Sequence, residues 1–189
     1  MKIQSNKEFY AKAIKEYGVS AQGVHWNSKY TQYKRFEIIT KLIKKHINSS
    51  SLIDVGCGFG EYYNYLLKNN FNAESFIGID CEQNMINISR RRFPDVDFFH
   101  KDVLVDQLLP ADYYVCSGAL NILDKNDLEL FINRCFEHST KGFVFNYLKN
   151  ETFHDISQND IFNICEKLTK NIKIKEHYLE NDFTILMLK

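Results

Sequence analysis

Short apolar runs alternate with helical repeats along most of the chain. SLIDV (51–55), ESFIGID (74–80), DFFH (97–100), YYVCSG (113–118) and GFVFNYL (142–148) have the length and composition of buried strands. Between and after them, 60–70, 82–92, 125–138 and 158–170 read as helices, with Asp124 as the cap of the third. Two further strands, IKIKEHYL (172–179) and FTILMLK (183–189), are separated only by Glu180, Asn181 and Asp182. So short a connection predicts an antiparallel pair. Ahead of the first strand, a helix is predicted over 6–17, capped by Ser5 or Asn6 and stopped by Gly18. Residues 28–47 then place Tyr33, Phe36, Ile39, Ile43 and Ile47 at helical spacing behind Ser28.

Strands with helices between them form parallel sheets covered on both faces. The expectation is therefore a doubly wound α/β fold. It has a mostly parallel seven-stranded sheet ending in an antiparallel hairpin, helices on both faces and an N-terminal helical extension. With no repeat and no linker, 1–189 is taken as a single domain, 1–50 as a helical cap and 51–189 as the sheet core.

Composition narrows the function. At 189 residues, with 44% hydrophobic and 25% charged positions, 8 Gly and 2 Pro, the chain is neither fibrous nor disordered. Basic and acidic residues balance at 24 each, which argues against a partner made of nucleic acid or anionic lipid. No stretch approaches the ~18 apolar residues of a membrane span, and the first twenty residues hold no apolar signal core. Cys57, Cys81, Cys116, Cys135 and Cys165 form no CxxC pair, so reduced thiols in a cytoplasmic protein are expected. The histidines at 25, 46, 100, 138, 154 and 177 show no metal-ligand spacing, and no metal is expected.

The chemistry concentrates in LIDVGCGFG (52–60), an apolar strand that runs into Gly56-Cys57-Gly58-Phe59-Gly60 and then a helix. In open parallel sheets, ligands bind at the carboxyl ends of strands near the switch point, where the first such turn lies. The spacing is G-x-G-x-G, not the G-x-G-x-x-G of dinucleotide sites, and no Lys-Ser/Thr follows as in phosphate loops. Asp54 and Glu61 flank the glycines with negative charge, which disfavours a phosphate and suits a ligand that carries a cation.

D-x-G-x-G-x-G after the first strand, an acidic residue closing the second and the terminal hairpin together resemble the class I, Rossmann-like S-adenosylmethionine (SAM)-dependent methyltransferases over residues 50–189. The resemblance implies SAM as cofactor, S-adenosylhomocysteine as product and a small-molecule methyl acceptor as partner. It implies that Asp54, Gly56, Cys57, Gly58 and Gly60 line the methionine part, and that Asp80, beside Cys81, accepts the ribose hydroxyls. Met85 would pack on the adenine, Asp102 would accept its amino group, and Val103 would offer a backbone amide. Ser117, Gly118 and Ala119 would approach the ligand's amino acid end and the methyl group. Asp80 has a second reading as the cap of helix 82–92.

The segment GVHWNSKYTQYKRF (23–36), with Trp26, His25 and Arg35, has the composition of a cover over a small ligand. It is similar to an N-terminal segment of small bacterial methyltransferases in which Trp precedes Gln and Arg-Phe, matched here by Gln32 and Arg35-Phe36. Arg35 is expected either to bind the SAM carboxylate or to form a solvated ion pair. No Asn/Asp-Pro-Pro-Tyr/Phe follows the fourth strand, where CSGALN stands, which argues against nucleobase N-methylation. Arg90-Arg91-Arg92 reads as a solvated helix end. No catalytic base is evident; Asn121, Asn146, Tyr147 and His154 are weak candidates. Two other readings stay open: an NAD(P)-dependent oxidoreductase, which predicts a sixth parallel strand in place of the hairpin, and a SAM-binding protein without turnover.

Overall fold

The structure, a computed structural model, describes residues 28–149 and 154–189. The helix expected over 6–17, His25 and Trp26 lie outside the described residues. Seven strands form one sheet: β1 (Ser51–Val55), β2 (Ser75–Asp80), β3 (Asp97–His100), β4 (Ala111–Ser117), β5 (Ser139–Leu148), β6 (Ile172–Glu176) and β7 (Asp182–Leu188). Their order is β3-β2-β1-β4-β5-β7-β6. β1 pairs in parallel with β2 and β4, β2 with β3, and β4 with β5. β7 inserts between β5 and β6 and runs antiparallel to both. The hairpin is therefore present, and the parallel sixth strand of the oxidoreductase reading is replaced by it.

Five helices are described: α1 (Lys29–Ile43), α2 (Glu61–Lys68), α3 (Gln83–Arg92), α4 (Lys125–His138) and α5 (Gln158–Leu168). Phe36, Ile39 and Ile43 of α1 and Tyr62 and Leu66 of α2 pack on Leu52, Val115, Val144 and Leu186 on one sheet face. On the other face, Leu128, Ile132 and Cys135 of α4 and Ile161, Ile164 and Cys165 of α5 meet Tyr114, Phe143, Phe145 and Ile185. Burial from both sides explains why the central strands are continuous apolar runs instead of alternating ones.

Helix starts follow local chemistry. The Ser28 hydroxyl accepts the Thr31 N–H, and Asp124 accepts from Asn126 and Asp127. Ser157 and Asp160 form a reciprocal capping box at α5. Three boundaries differ from expectation by three residues or more. α1 ends at Ile43, and Ile47 reaches the core from a separate turn, Ile47–Ser49. β5 begins at Ser139, directly after α4, across a register shift opposite Ala111. β6 stops at Glu176 because His177 takes a left-handed φ of 62°, which ends the ladder three residues early.

Chain direction reverses around β1: the chain goes outward to β2 and β3, then returns to β4 on the other side. Helical connections leave a crevice at the carboxyl ends of β1 and β4, where the glycine turn sits.

Candidate cofactor site

The turn after β1 departs from ordinary backbone geometry. Gly56, Gly58 and Gly60 all have positive φ, at 70°, 53° and 73°. A Cβ on Gly56 would lie 2.4 Å from the Ala119 Cβ, so the close approach of the β1 and β4 ends also requires glycine there.

Surrounding groups hold this turn in place. The Ile79 carbonyl accepts the N–H groups of Gly56 and Cys57 at 2.9 and 3.1 Å. One Asp80 oxygen accepts the Gly58 N–H and the other the Glu82 N–H, each at 2.9 Å. From α3, the Ser89 hydroxyl donates to the Gly58 carbonyl at 2.7 Å and Arg92 to the Phe59 carbonyl at 2.6 Å. Arg92 also pairs with Glu61 at 2.7 Å, whose other oxygen receives the Tyr33 hydroxyl of α1 at 2.7 Å and the Asn64 amide at 2.8 Å. The arginine run is thus not a purely solvated helix end: Arg92 does this work, and Arg90 donates to the Phe98 carbonyl at 2.8 Å. Glu61 is correspondingly no bare negative charge but half of an ion pair, with its carboxyl held below the usual range against the effect of burial.

A cleft of about 570 Å³ opens beside the turn. Asp54, Gly56, Cys57, Gly58, Asp80, Cys81, Met85, Asp102, Val103, Ser117 and Gly118 all line it. Gly60 does not; it shapes the start of α2. Arg35 does not line the cleft either. It forms a two-armed pair with Asp182 at the start of β7, its Nη2 2.9 Å from Oδ2, with the two side chains 6% and 3% exposed. The pair is buried, not solvated, and its guanidinium is committed away from the ligand region.

Sequence reasoning gives Arg92, Tyr62 and Phe131 no place in the wall, which all three line. Helical spacing identifies the aromatics as core but cannot say that one edge of that core is open. The weak base candidates lie elsewhere: Asn121, Asn146, Tyr147 and His154 do not line the cleft. Asn121 accepts the Leu148 N–H at 3.0 Å, Asn146 donates to Asp182 at 3.3 Å, and Tyr147 packs on Phe183.

Two buried carboxyls set the electrostatics of the cleft. Asp54 is 3% exposed, and among the described residues its carboxyl has no hydrogen-bond partner. Burial, reinforced by the neighbouring Asp80, pushes its pKa up to about 8. Asp80 is raised to about 6 by burial, against the stabilising N–H groups of Glu82 and Gly58. Burial raises the Cys57 thiol well above its ordinary value and Cys81 to about 12, so neither is an activated nucleophile. Asp102 turns one oxygen to the Leu104 N–H at 2.8 Å, at the far side of the cleft. A carboxyl buried without a partner gains most from a cationic ligand, and Asp80 beside it offers ionised oxygens to hydroxyl donors.

A glycine turn of this form, acids closing the next two strands, and an antiparallel seventh strand inside the sheet define the class I, Rossmann-like SAM-dependent methyltransferases. The chain is similar to that family in sequence and in fold. A family model described as a methyltransferase domain matches residues 52–142. A provisionally named methyltransferase of Mycobacterium tuberculosis is 27% identical over 158 residues, covering 74% of this chain and 93% of the relative. Among solved structures, a SAM-dependent methyltransferase from Clostridium acetobutylicum superposes with a TM-score of 0.71 at 15% identity, over 94% of this chain and 98% of the other. Magnesium protoporphyrin IX methyltransferase from Synechocystis, crystallised with SAM bound, gives 0.69 at 14% identity, over 100% and 86%. At such identities the structural likeness concerns the fold. In the described residues, no helix is long and apolar enough to cross a membrane.

Proposed function

We propose that this chain, acting as one cytoplasmic domain, binds SAM in the cleft and transfers its methyl group to a small-molecule acceptor. The observation that carries the reading is Asp54, a partnerless carboxyl buried in a cleft otherwise suited to a nucleoside. When bound, SAM supplies an activated methyl on a sulfonium, so the protein's task is mainly alignment and exclusion of water.

The residues divide that task by chemistry. Asp54 offsets the positive charge of the methionyl end, and the fixed glycine turn lets the ligand approach the backbone closely. Asp80 accepts the ribose hydroxyls with the oxygens it now presents to backbone N–H groups. Met85, Val103 and Phe131 give the base an apolar seat, with Asp102 at its edge. Held there by these residues, SAM would supply its methyl group to the acceptor and would keep the carbon–sulfur bonding pair on sulfur, and the acceptor's proton would pass to solvent. In this reading Asp54 and Asp80 are taken up by the cofactor, so the acceptor is read as one that enters as a free nucleophile.

Titration calorimetry with SAM tests the cofactor reading, with NAD as the competing ligand. A screen of small-molecule nucleophiles that monitors release of S-adenosylhomocysteine then tests transfer. No SAM binding at millimolar concentration, or preference for NAD, would remove the assignment. SAM binding with no turnover on any acceptor would favour a sensor.

A further inference from the structure

Charge is unevenly divided across the cleft. Its strand side carries acids: Asp54 in β1, Asp80 closing β2 and Asp102 after β3. Its helical wall carries cations instead. Lys29 opens α1, Lys68 closes α2 and Arg92 closes α3, and all three line the cleft. Among the described residues, Glu61 is the one acid that α1 and α2 bring to this lining, and Arg92, Tyr33 and Asn64 already occupy it. The charges of Lys29 and Lys68 are left over. Both side chains are exposed, and neither meets a carboxylate within ion-pair distance among the described residues.

The two lysines flank one spot. The Lys29 ammonium lies 5.2 Å from the centre of the Tyr33 ring, and the Tyr33 hydroxyl receives the Asn64 amide at 3.4 Å. Lys68 follows Asn64 by one helical turn, on the same face of α2. No acid stands in the first turn of α1, so the helix dipole adds to the positive potential at Lys29. Lys101, the remaining cation of the lining, is used differently: it donates to the Gln107 carbonyl at 2.8 Å, beside Asp102 on the strand side. A cationic cofactor gains nothing from a basic wall, whereas an anion entering opposite it does.

Resting on the SAM reading above, we infer that the methyl acceptor is a small molecule bearing an oxyanion, a carboxylate or a phosphate monoester, held at the mouth of the cleft by Lys29 and Lys68. The anion is a handle and not the methylated atom, because both lysines stand at exposed helix ends while the methyl group is read at the strand ends. Contacts of this kind raise the entry rate of an anion and weaken with salt.

Calorimetry on the protein saturated with S-adenosylhomocysteine tests this with three probes of similar shape: benzoate, phenyl phosphate and the neutral benzamide. The parent should bind the tighter anion about tenfold better than benzamide, and whichever anion is tighter names the group. Lys29→Met and Lys68→Met should each weaken that anion about threefold to fivefold, and Lys29→Glu with Lys68→Glu should make benzamide the tighter ligand. Benzamide and S-adenosylhomocysteine should bind every variant within about twofold of the parent, which also reports that they fold. Salt at about 0.5 M should remove most of the preference. A parent that prefers benzamide, or an anion preference that survives the double glutamate variant, would overturn the inference while sparing the cofactor reading. So would a loss of S-adenosylhomocysteine in Lys29→Met, which would assign that lysine to the cofactor. A parent that does not bind S-adenosylhomocysteine would overturn the SAM reading, and this inference with it.

Discussion

Arg92, the last residue of α3, and Glu61, the first of α2, meet at 2.7 Å on the rim of the cleft. With side chains 28% and 19% exposed, the pair adds little stability by itself. Its effect is positional, because Arg92 also fixes the Phe59 carbonyl and Glu61 also receives Tyr33 from α1. Arg92→Met should therefore weaken SAM binding by about tenfold while lowering Tm by only a few degrees. Tyr33→Phe should cost less, and the double variant less than the two losses combined, since both act through one carboxylate. Calorimetry and thermal melts check this. Unchanged affinity in Arg92→Met would mean that the turn holds its shape without the arginine.

Arg35 and Asp182 are 147 residues apart in sequence and form a buried two-armed pair between α1 and β7. Removing one partner leaves the other charge buried, at a cost of about 3–5 kcal/mol. Arg35→Met should lower stability by that amount, and Arg35→Met with Asp182→Leu should recover most of it. Because the pair stands outside the cleft, the double variant should bind SAM within about threefold of the parent. Denaturant unfolding with calorimetry separates this from a cofactor role for Arg35, which would abolish binding in both variants.

That pair also marks the boundary of what the sequence discloses. That Asp54, Gly56, Gly58, Asp80 and Asp102 share one cleft was legible because each is tied to a strand end by local pattern, and strand ends in a parallel sheet converge on one edge. Alternating strands and helices gave the layers for the same reason. What decided the role of Arg35 was a carboxylate from the other end of the chain, and no local spacing encodes it. Arg92 was misread as a solvated helix end because its partner lies 31 residues back, across a turn whose path depends on three left-handed glycines. The early end of β6 follows from one backbone angle at His177, in a run otherwise well suited to a strand.

Gly56 offers a test of the turn itself. Gly56→Ala meets two penalties: a left-handed φ, costing about 1–2 kcal/mol for a residue with a Cβ, and a collision with Ala119. The variant should be destabilised by more than the φ cost alone and should lose measurable SAM binding. Adding Ala119→Gly removes the collision but not the φ cost, so stability should recover in part. Thermal melts of the two variants decide it. No recovery would mean that the strain resides wholly in the backbone.

Asp54 makes the cleft sensitive to pH, and the sign follows from its position. Folding raises its pKa from an ordinary carboxylic value to about 8, so the ligand-free folded state holds a proton that the unfolded chain releases. Its burial thus costs stability increasingly as pH rises from about 4 to 8, and Asp54→Asn should raise the Tm of the ligand-free protein most at pH 8 and above. Binding has the opposite slope. A cationic ligand stabilises the ionised form, so SAM must displace that proton below pH 8, and affinity should rise from pH 6 to 8 and level off above. Asp80, raised to about 6, contributes to the acid end of the same rise. Calorimetry in buffers of different ionisation enthalpy should detect proton release on SAM binding at pH 7, and less of it at pH 9. In Asp54→Asn the release at pH 7 should largely vanish and affinity at pH 8 should fall about tenfold, the equivalent of one lost charge-assisted contact. A parent protein whose affinity is flat from pH 6 to 9, with no proton exchanged, would mean that Asp54 is ionised before the ligand arrives and that the cleft is more hydrated than its burial indicates.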